Sequence, residues 1–268
     1  DVLRLSSEAG TEVAWRAVIA RAAALAAGIR TRRPGPVQVN VEFGEPLVDS
    51  EVREPRPQQA RPKVAASRRA EARVLTRPAR TVVLAGDAPP EVGAEARATA
   101  EMAGVPLLAE PSSNARAGRA IPRYREMLPR LAPEIERVVM FGHPTLSRPV
   151  SALLARQDVE LIVVAGHAEW VDPGHVAAEV VDGVILPPGD PAWLARWQAP
   201  ALEPSGELSG EAVAAAVVAA ARPGENLVLG ASNSIRYADI APISQSPAVC
   251  WANRGLAGID GTVATATG

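Results

Sequence analysis

The hydrophobic pattern changes character along the chain. From Thr11 to Ile29 apolar residues recur at helical spacing, with Thr11 placed as N-cap and Gly28 near the end. After Arg33-Pro-Gly-Pro, the run Val37-Gln-Val-Asn-Val-Glu-Phe alternates strictly, which predicts a strand with one buried face. Two elements cannot bury a core, so residues 1–50 read as the closing helix and strand of a larger domain. Residues 51–78 hold Pro55, Pro57, Pro62 and Pro78 with little apolar periodicity, the pattern of an extended linker.

From Thr81 onward strand and helix patterns alternate. Strands are predicted at Thr81–Gly86, Val105–Ala109, Arg137–Gly142, Glu160–Gly166, Val180–Leu186, Asn226–Gly230 and Ala248–Ala252. Helices are predicted at Pro90–Ala103, near Pro122–Leu131, and at Ser147–Gln157, Asp190–Gln198 and Ser209–Ala221. Continuous apolar strands separated by helices specify an α/β class: a doubly wound, mostly parallel, Rossmann-like sheet over residues 79–250. Ligands of such sheets gather beyond the carboxyl ends of the strands. Polar residues crowd those turns here: Gly86-Asp87, Glu110 to Asn114, Gly142 to Thr145, Gly166-His167, Gly230 to Arg236 and Asn253-Arg254.

Composition narrows the classes. With 268 residues, 47% apolar residues and a mean hydropathy of +0.04, the chain is core-forming. Its longest low-polarity stretches, Ala17–Gly28 and Ala212–Ala221, fall short of the roughly 20 residues a bilayer span needs, so membrane insertion is not expected and a cytoplasmic location is. Alanine fills 52 positions and Lys63 is the only lysine, a coding bias that makes arginine abundance uninformative by itself. Residues 51–80 carry a balance of +6, leaving −8 on the remainder. Without aromatics or a folded basic face, that stretch reads as a solvated connector, and no nucleic-acid partner is expected. Cys250 stands alone, which excludes an internal disulfide and CxxC chemistry. The chain starts at Asp1 without methionine and stops at Gly268 within a starting helical pattern, so a fragment of a longer protein is expected.

The familiar signatures are missing. There is no GxGxxG, GxxxxGK[ST], HExxH or GxSxG. His143, His167 and His175 lack metal-ligand spacing, so no metal site and no catalytic residue are assigned within the chain. The richest constellation is C-terminal. Ser232, Asn233, Ser234 and Arg236 follow an apolar strand, and Asn253-Arg254 leaves the next one into a turn punctuated by Gly255, Gly258 and Gly261. Arg236 and Arg254 at adjoining strand ends suit bidentate binding of carboxylates.

Two stretches, Leu229-Gly-Ala-Ser-Asn-Ser-Ile-Arg and Ala252-Asn-Arg-Gly-Leu-Ala-Gly-Ile-Asp-Gly-Thr-Val-Ala-Thr-Ala, resemble the 2-succinyl-5-enolpyruvyl-6-hydroxy-3-cyclohexene-1-carboxylate synthases of menaquinone biosynthesis. Gly35-Pro-Val with Glu45-Pro-Leu, and Gly142-His-Pro-Thr-Leu-Ser-Arg-Pro-Val, resemble further parts of that family. The resemblance implies a transferase that uses thiamine diphosphate and Mg²⁺, decarboxylates 2-oxoglutarate and adds the succinyl-semialdehyde carbanion to isochorismate. It implies the end of a pyrimidine-binding domain at 1–50, a central domain at 79–250 and the start of a pyrophosphate-binding domain at 251–268. The glutamate that engages the aminopyrimidine and the GDG-to-asparagine motif for Mg²⁺ and diphosphate would then lie outside this sequence. The chain alone is expected to be inactive and to bind neither cofactor, while the full-length protein is expected to be a homo-oligomer.

By position, the resemblance makes Ser232, Arg236 and Arg254 substrate-binding and Ile259 the wedge that bends the cofactor. It puts Arg148 near the substrate entrance, with Pro149 where some relatives carry a second basic residue and Ala231 where some carry asparagine. Two other readings stand beside it. One is a stand-alone nucleotide- or ligand-binding module, which the missing glycine fingerprint disfavours. The other gives the central domain a spacing and oligomer-forming role. Asn114, Arg116 and Arg119 form a further candidate site, for an acidic regulatory metabolite.

Overall fold

The computed structural model describes residues 2–6, 12–29, 31–45, 69–167, 170–198, 208–245, 247–253 and 261–268. The chain divides into two compact units, Asp1–Arg69 with Gly166–Ala168, and Ala70–Ala165 with Glu169–Gly268.

The first unit is a βαβ arrangement. Strands β1 (Val2–Ser6) and β2 (Gln38–Glu42) pair in parallel, with helix α1 (Glu12–Ala26) between them in sequence. Trp15 Nε1 donates to the Ser6 carbonyl at 2.9 Å, fastening α1 to the end of β1. Gly28, at a φ of 66°, closes the helix where a Cβ would lie 2.5 Å from the Pro34 nitrogen. The expected buried face of β2 is only partial: Val39 is half-buried, while Val41 and Phe43 are exposed. In this unit β1 is the sole described partner of β2, too little to cover both faces.

The second unit is built on a five-stranded parallel sheet. Its strands and helices are β3 (Arg73–Val74), β4 (Thr81–Ala85), α2 (Pro90–Ala103), β5 (Leu107–Ala109), α3 (Tyr124–Leu131), β6 (Arg137–Phe141), α4 (Arg148–Leu154), β7 (Glu160–Val164), β8 (Ala177–Val181), β9 (Val184–Ile185), α5 (Pro191–Trp197), α6 (Gly210–Ala220), β10 (Asn226–Leu229), α7 (Asn233–Ile240), β11 (Val249–Ala252) and α8 (Thr262–Thr267). The main sheet runs β5-β4-β6-β7-β8, all parallel. Successive strand residues alternate between two cores. Leu84, Met140 and Val163 pack against α3, α4 and the Trp193–Trp197 pair of α5, while Val83, Val139 and Ile162 pack against the alanines of α2. Both faces are covered, as near-continuous apolar strands require.

Three features depart from the sequence expectation. The strand predicted at Val180–Leu186 is two strands, β8 and β9, broken at Asp182-Gly183 and belonging to different sheets. β9 pairs with β3, which falls inside the span predicted as linker; Asp182 Oδ2 accepts from the Ala70 nitrogen at 2.6 Å and Arg73 pairs with Glu179 at 2.8 Å. β10 and β11 leave the main series and pair only with each other, Asn226↔Val249 through Leu229↔Ala252.

Candidate functional site

In a parallel sheet ordered second-first-third, the ligand crevice lies between the carboxyl ends of the first and third strands, here β4 and β6. In this chain the crevice is filled by backbone. A Cβ on Gly86, after β4, would lie 2.0 Å from the Pro144 nitrogen and 2.2 Å from the His143 carbonyl carbon. Gly142, after β6, has a φ of 65°, and a Cβ there would lie 2.5 Å from the Asp87 oxygen. With both side chains absent, the two strand ends join: Asp87 N donates to His143 O at 3.1 Å and His143 N to Asp87 O at 2.9 Å. Glu110, at the end of β5 and 2% exposed, accepts from Thr145 N at 3.1 Å and Leu146 N at 2.9 Å. These charge-assisted bonds pin the 143–146 turn where a dinucleotide's pyrophosphate would sit.

Exposed polar side chains gather instead at the ends of β10 and β11. Ser232 is the N-cap of α7: its Oγ accepts from Ser234 N at 3.4 Å and lies 3.0 Å from Ser234 Oγ. Ser234 Oγ donates to the Gly230 carbonyl at 3.0 Å. Arg236 is exposed one turn further on, its Nη1 donating to Asn233 Oδ1 at 3.0 Å. Around Gly230, a Cβ would meet Ser234 Oγ, Ser232 Oγ and Thr262 Oγ1 at 3.6–3.9 Å, so three hydroxyls from α7 and α8 converge there. Asn253, directly after β11, donates from Nδ2 to Thr265 Oγ1 of α8 at 3.0 Å. Cys250 beside it is buried, and burial pushes its thiol up to about 12, so it is no nucleophile.

The β10–α7 segment is held by two kinds of contact. Leu229, Ile235, Ala238 and Cys250 form one apolar cluster with Leu146, two residues before Arg148. Arg148, the first residue of α4, is exposed two residues beyond Leu146. Arg254 and Ile259 lie outside the described residues. The polar contacts come from residues expected to bind a metabolite. Asn114, at a φ of 56°, donates from Nδ2 to Ala88 O at 2.8 Å and Cys250 O at 3.1 Å and accepts from Cys250 N at 2.8 Å. Arg116, 8% exposed, donates to the carbonyls of Asp239 at 3.0 Å, Pro242 at 3.3 Å and Ala241, closing the C-terminal end of α7. Both side chains are thereby committed to backbone, and only Arg119 of the three is exposed.

Residues that sequence reasoning passed over complete the arrangement. Asp239 is 1% exposed and ion-pairs through Oδ2 with Arg125 Nε of α3, and Arg125 Nη2 donates to the Arg236 carbonyl at 3.1 Å. The available signal was register: Ile235, Ala238 and Asp239 share one helical face, so an acid stands at an apolar position.

Comparison with known proteins bears on this geometry. No family model matches the chain. A 2-succinyl-5-enolpyruvyl-6-hydroxy-3-cyclohexene-1-carboxylate synthase of Kineococcus radiotolerans is 47% identical over 279 residues, covering 95% of this chain and 50% of the relative. Synthases of the same name from Arthrobacter sp. and Nocardioides sp. are 40% and 42% identical, over 88% and 87% of this chain and 43% and 48% of theirs. By sequence, the chain belongs to this synthase family. It spans about half the length of the curated relatives it matches. Similarity to the Kineococcus synthase over 95% of the chain takes in residues of both compact units, the β10–α7 region's unit included. Among the described residues of this synthase-family chain, no helix is long and apolar enough to cross a membrane. No group of three or more His, Cys, Asp or Glu side chains able to hold a metal occurs among them either.

Proposed function

We propose that the chain is part of a cytoplasmic, homo-oligomeric carboligase that decarboxylates 2-oxoglutarate and adds the succinyl-semialdehyde carbanion to isochorismate. The observation that carries this reading is the exposed Ser232–Arg236 pair at the β10–α7 junction, in a chain 47% identical to a synthase of this kind. Both substrates carry carboxylates. A guanidinium fork one turn into a helix, with a hydroxyl at the cap, neutralises and orients such a group, and Arg148 and Arg254 add positive charge on the same reading. Residues 1–50, 79–250 and 251–268 then correspond to the end of the pyrimidine-binding domain, the central domain and the opening of the pyrophosphate-binding domain, joined through residues 51–78. The chain by itself is proposed to be inactive.

When bound, thiamine diphosphate supplies the thiazolium carbon that carries the acyl carbanion. Among the described residues no group of three or more His, Cys, Asp or Glu side chains could hold Mg²⁺, and Ile259, the proposed wedge, lies outside them, so no step is derived through either group. In a protein of the relatives' full length, Arg236→Ala should lower kcat/KM by about 10–100-fold, the worth of one charged hydrogen-bonded contact. Arg236→Lys should recover only part of this, because the point charge lacks the fork. Unchanged kinetics in Arg236→Ala would remove that residue from the substrate site.

The rival reading, a nucleotide-binding module, meets the filled crevice between β4 and β6. Calorimetry of the chain with NAD, FAD and ADP should give no saturable heat; a saturable isotherm would reinstate it. A spacing role for the central domain is compatible with the carboligase reading.

A further inference from the structure

α7 presents Ser232 and Arg236 at one end and is gripped at the other by buried charge. The Asp239 carboxylate holds Arg125, and the same guanidinium donates to the carbonyl of Arg236 at 3.1 Å, so Arg125 spans two residues of one helix three positions apart. Arg116 fixes the carbonyls that follow, those of Asp239, Ala241 and Pro242. The titratable groups around the pair are Tyr124 and Arg125 from α3 and Arg116 from the segment after β5, with Glu110 and Cys250 acting on Tyr124 and Arg116. An aliphatic residue at 239 would continue the Ile235–Ala238 face without desolvating a carboxylate. A buried pair in such a place is poor stabilisation, since Arg125 Nε and Asp239 Oδ1 are left without a hydrogen-bond partner; it sets geometry because the ion pair and the bond to the Arg236 carbonyl together fix the direction of one guanidinium.

We propose that Asp239 is a positioning residue for Arg236: its carboxylate fixes Arg125, and Arg125 fixes the turn of α7 from which the Arg236 guanidinium projects. The consequence for turnover rests on the reading of Arg236 as a carboxylate ligand; the coupling itself does not. Burial, opposed by Arg125 and Arg116, pushes Asp239 up to about 6, so the coupling can be read by titration.

The first test uses this chain as it is. In ¹⁵N NMR from pH 5 to 8, the backbone amide and side-chain Nε signals of Arg236 are expected to shift with one midpoint near 6, and to lose that transition in Asp239→Asn. Arg236 signals that stay flat, or that titrate identically in the variant, overturn the proposal. The second test uses the full-length protein, where Asp239→Asn is expected to raise KM for the carboxylate substrate roughly tenfold with kcat nearly unchanged and no fall in Tm. In the unsubstituted protein KM should climb as pH falls through the same midpoint. An unchanged KM in Asp239→Asn while Arg236→Ala raises it, or a Tm that falls with the rise in KM, overturns the positioning role. If the NMR coupling is present and neither variant changes KM, the coupling stands and the carboxylate reading of Arg236 falls.

Discussion

Gly86→Ala is expected to cost at least about 3 kcal/mol of stability, a large share of the roughly 5–15 kcal/mol that holds a domain folded. Overpacking usually costs about 1–3 kcal/mol because side chains can move aside. Here the added methyl meets backbone, 2.0 Å from the Pro144 nitrogen and 2.2 Å from the His143 carbonyl carbon, and no rotamer relieves it. Moving the 143–146 turn away would break the paired Asp87–His143 bonds and leave the buried Glu110 carboxylate without Thr145 and Leu146. Each such loss adds on the order of 1 kcal/mol or more. Gly224→Ala is the control: its φ is 87° but nothing lies within 4 Å, so only the left-handed strain of about 1 kcal/mol should appear. Urea unfolding followed by circular dichroism separates the two, and equal midpoints would show that the crevice is not closed as described.

The second large effect is a pH dependence with an unusual sign. Asp239 takes up its proton near 6 in the folded chain and near 3.8 when unfolded, because burial disfavours the carboxylate more than Arg125 and Arg116 favour it. Between these values the folded state holds more protons than the unfolded one, so stability rises as pH falls from about 6 toward 4 and is lost again on the way up. At about 1.4 kcal/mol per pH unit the span amounts to roughly 3 kcal/mol. Glu134, Asp158 and Glu179, held low by hydrogen bonds to Arg196, Arg156 and Arg73, slope the other way. They are solvent-screened and common to any Asp239 variant, so they cancel in a difference. The stability of the unsubstituted chain minus that of Asp239→Asn should therefore decline from pH 4 to pH 7. A flat difference would mean that Asp239 is solvated. The same comparison explains why stability and positioning part company: the charge that orients Arg125 is one the fold carries at a cost.

Much of this was legible in sequence, and what was not has a common physical cause. α2 begins at Pro90 and ends before Gly104 in the left-handed region, as the Pro-first, Gly-last rule expects. The three inner strands of the main sheet, β4, β6 and β7, announced themselves as apolar runs because both of their faces are covered. β10 and β11 carry the same kind of run, and nothing local says that they pair with each other rather than with β8. β3 is two residues long, too short for any period to show. At the site, glycines closing β4 and β6 hinted at a close approach, but which backbone they admit depends on contacts more than fifty residues apart. Ser232 and Arg236 stood out by their place after an apolar strand, and the resemblance to a family added a substrate role, whereas Asp239 and Arg125 did not stand out, because charged residues are ordinarily read as surface. Their burial follows from the register of α7 against α3, which only the tertiary structure supplies.

The central claim is the reaction, and it is tested most directly in a protein of the relatives' full length. CO₂ release from 2-oxoglutarate and loss of isochorismate should both require thiamine diphosphate and Mg²⁺ and should proceed one for one. A folded full-length protein that releases no CO₂ under those conditions, or that consumes isochorismate without 2-oxoglutarate, would contradict the account.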